Sequence, residues 1–276
     1  MNTKMKRIVH NRREGGEDGV ATAGELELFD AHCHLDWFSD PAHVAADAMT
    51  RGLGFFAVTV TPDGYRTAVP ALADAPGVAL AAGLHPWWLA DGRAGAEDVD
   101  ALCALVAKTR WVGEVGLDFS TAHADSADTQ VAALTRICSA AADTSDPAHP
   151  HVLSLHAVRA TNTVLDVLEA THAAERCRCV LHWFSGSTPE LWRAVHTGCW
   201  LSFGERSLAT RRGREYARIL PAERLLTETD LPPAPGAELG AADVAASLER
   251  ALTGIAEVRG TDMRAQLAAN AAALLA

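Results

Sequence analysis

After residue 25 the sequence alternates, eight times over, between a short apolar run and a longer Ala/Leu-rich stretch with helical spacing. The apolar runs end near Asp30, Val60, Gly83, Gly116, His156, His182, Ser202 and Thr229, so that successive ends lie about 20 to 40 residues apart. A parallel strand–helix–strand unit takes roughly 30 residues. Eight such units predict an α/β fold, a (β/α)8 TIM barrel rather than an open doubly wound sheet. Turns such as Thr61-Pro62-Asp63-Gly64 and Ala75-Pro76-Gly77 punctuate the units.

Residues 1–25 are polar, mixed in charge and without periodicity, which reads as a disordered N-terminal extension. A partner- or nucleic-acid-binding arm is the alternative, against which Glu14, Glu17 and Asp18 offset most of its basic residues. Residues 26–276 are expected to form a single barrel domain.

In a barrel of this kind the loops that follow the strands converge at one end, and chemistry gathers there. The ionisable residues of this chain fall at those positions. His32 and His34 close the first run, His85 the third, Glu114 lies in the fourth, His156 and His182 close the fifth and sixth, and Glu228 and Asp230 the eighth. Side chains alternate along a strand, so His32 and His34 project together while Cys33 points away. Imidazoles and carboxylates in one place can hold two divalent cations, Mg, Mn or Zn, with Glu114 between them.

The succession FDAHCHLD, GLHPWW, VGEVGLDF, LHAVRA, LHWFSG and LTETDLP, between about Glu27 and Asn270, resembles the TatD family of metal-dependent deoxyribonucleases within the amidohydrolase-like barrels. The set LHWFSG, GCWLSFG and LTETD is similar, more narrowly, to the QatD group, the TatD-type subunits of Qat anti-phage defence systems. The resemblance implies that His32, His34 and Asp230 bind one metal, His156 and His182 a second, and that Glu114 bridges them. It implies that His85 sits beside the scissile phosphate. Asp230 is either a plain ligand or the group that takes a proton from the attacking water. Many TatD-like enzymes carry Arg two residues after the fifth-strand histidine, where this chain has Val158 followed by Arg159. A phosphate contact from Arg159 is therefore an open expectation. The stretch after Asp230 also lacks the aromatic-containing Pro-rich turn common in the family.

Several neighbours have two readings. Glu228 shares parity with Asp230 and either backs a metal-bound histidine or is a buried acid paired elsewhere. Asp118 either orients a ligand or begins a loop, and Asp36 is read as a turn cap. Trp87 and Trp183, each within two residues of a site histidine, either stack unpaired bases or form an apolar lid. Arg206, Arg211, Arg212 and Arg214 make the one dense basic stretch, with Arg211 and Arg212 as candidate backbone contacts and a solvated surface run as the alternative.

Net charge bounds the partners. At −11 the chain repels polyanions at long range, which argues against a protein that coats nucleic acid and leaves room for a local DNA-binding site. No apolar stretch reaches the ~18 residues of a membrane span, and six irregularly placed cysteines read as reduced thiols, so a cytoplasmic protein is expected. The functional expectation is a divalent-metal-dependent DNase that hydrolyses phosphodiester bonds at DNA ends or in single strands, as the nuclease subunit of an anti-phage defence system with other Qat proteins as partners. The alternatives are a metal-dependent hydrolase of a small ester, amide or lactone, and a mainly scaffolding subunit of a defence complex.

Overall fold

The computed structural model describes residues 26–276. The extension expected at residues 1–25 lies outside the described residues. Eight parallel strands run in chain order: β1 (Leu28–Cys33), β2 (Leu53–Val58), β3 (Val78–Ala81), β4 (Trp111–Asp118), β5 (Val152–Val158), β6 (Arg178–Leu181), β7 (Trp200–Phe203) and β8 (Leu225–Thr227). Each is followed by at least one helix, as the alternating pattern predicts.

The ladder is continuous within β1–β2–β3 and within β4 to β8. Two joints close these sheets into a barrel. A parallel bridge between Ala82 and Val112 joins β3 to β4. At the other joint the Asp230 N–H donates to His32 O at 2.9 Å, the Thr227 hydroxyl donates to Phe29 O at 3.0 Å, and the Asp30 carboxylate accepts the Thr229 N–H at 2.9 Å. Side chains here do part of what a ladder does elsewhere.

Apolar side chains fill the floor of the barrel, among them Phe29, Phe56, Trp111, Val152, Val180 and Leu226. A larger layer packs the strands against the helices, including Leu102, Leu134, Leu165 and Leu201, all fully buried. Fully burying one Leu side chain is worth about 1.5–3 kcal/mol, so the aliphatic layer carries the stability and leaves the top of the barrel free for polar groups.

Two strands slip in register beside that polar end. Between Asp30 and Cys33 β1 spends three steps against two of β2, and between Val112 and Val115 β4 does the same against β5. His32 and Glu114 lie within these two irregularities. Such bulges re-aim side chains next to functional sites. Cys33 faces outward into the layer under the helices, so the predicted parity of the first strand end holds.

Candidate metal centre

Glu114 occupies the middle of the polar end, with its two carboxylate oxygens facing different histidines. Oε2 lies 3.4 Å from His32 Nε2 and 3.5 Å from His34 Nε2. Oε1 lies 2.8 Å from His156 Nδ1, 2.8 Å from His182 Nε2 and 3.1 Å from His85 Nε2. Asp230 Oδ1 joins the first set at 3.6 Å from His32 Nε2 and 3.3 Å from His34 Nε2. Three groups of ligand-type atoms emerge among the described residues: His32 with His34 and Asp230, His32 with Glu114 and His182, and His85 with Glu114 and His156.

The surroundings fit a cation better than they fit a hydrogen-bonded cluster. His32 is wholly buried, its Nδ1 is 2.8 Å from the Ser154 hydroxyl, and its Nε2 has no hydrogen-bond partner although it faces the shared space. Leaving such a buried nitrogen unsatisfied costs about 1–3 kcal/mol, which a divalent ion at Nε2 removes. The donor set of imidazole nitrogen and carboxylate oxygen suits Zn, Mn or, with more oxygen, Mg.

Two of the histidines, His156 and His182, have a second carboxylate behind them. Asp118 Oδ2 lies 3.2 Å from His156 Nε2 and accepts the Trp87 indole N–H at 2.6 Å, while Asp118 Oδ1 accepts the Ser120 N–H at 2.7 Å. Both readings of Asp118 therefore apply, since it orients a histidine and opens a loop. Glu228 Oε2 lies 3.9 Å from His182 Nδ1 and accepts the Ser202 hydroxyl at 2.6 Å, and its Oε1 accepts the Trp183 N–H at 2.8 Å. Of its two expected roles, the one behind a site histidine matches this position. Asp36 departs from the expected turn cap. It lies inside the short 3-10 turn Leu35–Trp37, whose first position is held by His34 without a side-chain cap.

Mutual charge shapes the titration of the cluster. Burial alone would raise the Glu114 carboxyl, but His85, His182 and His32 around it hold it well below its ordinary value. Burial pulls His32 down to about 4. Burial also opposes charge on His156, yet its hydrogen bonds to Asp118 and Glu114 prevail and raise it to about 9. Glu228, buried and close to Asp230, is pushed up to about 7 despite His182 and Ser202.

The centre opens into a cavity of about 370 Å³ walled by Trp37, Trp87, Trp88, Trp183 and Arg206. Trp87 and Trp183 thus stand at the mouth, as the sequence suggests. The basic stretch divides. Arg206 lines the cavity, Arg212 Nη1 donates to Ser185 O at 3.4 Å and braces the loop after β6, and Arg211 lies in a separate surface groove with Arg214, Glu215 and Arg218. Arg159 is exposed and is absent from the cavity wall. Neither Arg159 nor Arg211 lines the cavity.

Residues 29–276 match the family model described as TatD related DNase. The chain belongs to the TatD family. Over 120 residues it is 32% identical to the deoxyribonuclease Tat-D of Schizosaccharomyces pombe, an alignment that covers 44% of this chain and 37% of that protein. Over 218 residues it is 28% identical to the metal-dependent hydrolase YcfH of Escherichia coli K12, covering 74% of this chain and 77% of that one. Among solved structures, the TatD homologue YjjV of Escherichia coli K12 superposes with a TM-score of 0.73 at 22% identity, over 90% of this chain and 98% of that one.

In this TatD-family barrel the structure brings together His32, His34, Glu114, His156, His182 and Asp230, with His85 beside them. Three supporting residues were given no role in the sequence reading: Asp30, which ties β1 to Thr229, Ser154 behind His32, and Ser202 behind Glu228. Strand parity was the one clue, since Ser154 precedes His156 by two residues and shares its face.

Proposed function

We propose that the chain hydrolyses phosphodiester bonds of DNA with two divalent cations, the first held by His32, His34 and Asp230, the second by His156 and His182, with Glu114 between them. The division of the Glu114 oxygens between two histidine sets is the observation that carries this reading. When bound, the cations supply Lewis acidity toward a phosphoryl oxygen and acidify the attacking water.

The protein side chains do the rest. Asp230 is the acid that reaches the substrate, because its side chain is 23% exposed whereas Glu114 and Asp118 are 3% exposed and Glu228 is 2% exposed. It accepts the proton of the attacking water. His85 presents an N–H toward the phosphate being cleaved. The tryptophans at the mouth limit water around the reacting group and offer faces on which unpaired bases stack, which favours single strands or frayed ends over intact duplex.

Membership in the TatD family and the name of the Schizosaccharomyces pombe relative, a deoxyribonuclease, support the choice of DNA. The likeness of LHWFSG, GCWLSFG and LTETD to the QatD group supports a role in anti-phage defence with other Qat proteins. No helix of the described residues is long and apolar enough to cross a membrane, and the six free cysteines accord with a cytoplasmic site of action.

The test is cleavage of labelled single- and double-stranded DNA with Mg²⁺ or Mn²⁺ by the native chain and by Glu114→Ala and Asp230→Ala. Metal-dependent cleavage lost in both variants supports the reading. Turnover of small esters without DNA cleavage overturns it.

A further inference from the structure

Arg206 follows β7 and is the only Lys or Arg among the described residues that line the cavity. Its side chain is exposed, and none of the ion pairs between described residues includes it. Its neighbours in the sequence are committed elsewhere. Glu205 pairs with Arg250, Arg214 with Glu257 at 3.3 Å, and Arg218 with Glu215 at 2.6 Å. Arg206 therefore keeps its five N–H donors for a ligand.

Its direction is set by Trp183, whose ring centroid lies 5.7 Å from the guanidinium carbon. Trp183 is itself anchored through its backbone. Its backbone has a φ of 39°, a left-handed conformation that a bulky residue adopts only under constraint, and the Glu228 carboxylate supplies that constraint by accepting its N–H. Glu228, Trp183 and Arg206 thus form a chain from the buried side of His182 to the cavity wall.

We propose that Arg206, steadied by the Trp183 indole, binds the phosphate next to the scissile one in a nucleic-acid strand. This rests on the nuclease reading above. The reacting phosphate already meets the cation ligands and His85, and Arg206 stands on the wall beyond them. In a cavity whose floor carries Glu114 and Asp230, on a chain of net charge −11, a polyanion needs a cation at the point where the strand leaves the centre. A planar guanidinium with free donors suits two oxygens of one phosphate.

The experiment compares Arg206→Gln, Arg206→Lys and, as a control in the separate groove, Arg211→Gln. The substrates are bis(p-nitrophenyl) phosphate, which holds a single phosphodiester, and a short oligothymidylate. Arg206→Gln is expected to raise KM for the oligonucleotide about tenfold, with its kcat and the turnover of the small diester within about twofold of the native values. Arg206→Lys recovers part of the loss, and Arg211→Gln matches the native protein. Anisotropy of the labelled oligonucleotide, in an Asp230→Asn background that stops turnover, is expected to give a salt slope smaller by about 0.7 for Arg206→Gln, the value of one single-strand phosphate contact. Equal losses on both substrates, or an unchanged Kd and salt slope, overturn the proposal while the nuclease reading stands. A native protein that neither binds nor cleaves the oligonucleotide overturns both.

Discussion

His85 Nδ1 accepts the backbone N–H of Trp87 at 3.2 Å, which leaves the proton of the neutral ring on Nε2, 3.1 Å from Glu114 Oε1. Burial lowers the His85 pKa, which favours the neutral ring. A nitrogen that carries a proton donates and does not ligate, so in this tautomer His85 is expected not to hold a cation together with Glu114 and His156. His85→Ala is expected to lower kcat on DNA by about 10²–10⁴ with the number of bound cations unchanged. Metal analysis of the purified variant decides the matter, and a lost equivalent would make His85 a ligand.

Ser154 is the hydrogen-bond partner of His32 Nδ1 among the described residues. Ser154→Ala removes the partner of a buried Nδ1 and should destabilise the fold by about 1–3 kcal/mol. It also frees the ring to turn, with cation affinity falling about 10–100-fold. Thermal melts and competition with a metallochromic chelator measure the two effects separately. An unchanged affinity would mean that stacking on His182, at 3.7 Å between centroids, suffices to hold the ring.

Gly116 has a φ of 148°, and a Cβ there would lie 2.1 Å from His156 O and 2.7 Å from His156 N. Main-chain atoms cannot move aside as a side chain can. Gly116→Ala is expected to destabilise the chain by on the order of 4 kcal/mol and to displace His156 even where the barrel persists. Circular dichroism melts together with cation stoichiometry test this, and a variant with native values of both would refute it.

The metal-free protein should lose stability between pH 6.5 and 9. His156 has a folded value of about 9 against an ordinary 6.5, so its contribution is complete below 6.5 and disappears as pH rises through 9. His34 and His182 are shifted in the same direction. Asp30 and Glu228, raised by burial to about 7, lose their contribution by that pH and so reinforce the decline at its start. Cations displace these protons, so binding should release protons and tighten as pH rises. Melting temperatures in chelator at pH 6.5, 7.5 and 9 provide the check, and a flat or rising series would contradict the assignment.

The eight strands, and the seven residues that lie at their ends or, for Glu114, within the fourth, stood out because a barrel gathers its chemistry at one end of its strands. His32, Glu114 and Asp230 could be found in this way although they lie far apart in the chain. The supports were harder to see, since Ser154 and Ser202 are small polar residues inside otherwise apolar strands, and their partners are fixed only when neighbouring strands align. Arg206 shows another limit. It and Arg211 lie five residues apart in one basic stretch, but a short helix, Glu205–Leu208, ends between them and sends Arg211 to a different surface.

The joint between β1 and β8 has a consequence in time. Asp30 meets Thr229, and His32 meets Asp230, across a gap of 199 and 198 residues. A growing polypeptide that has not yet presented Asp230 lacks one wall of the first cation site, however well its earlier strands have formed. The residues of the centre are therefore not all together until late in synthesis, and the step that seals the cylinder is the same step that completes the cluster.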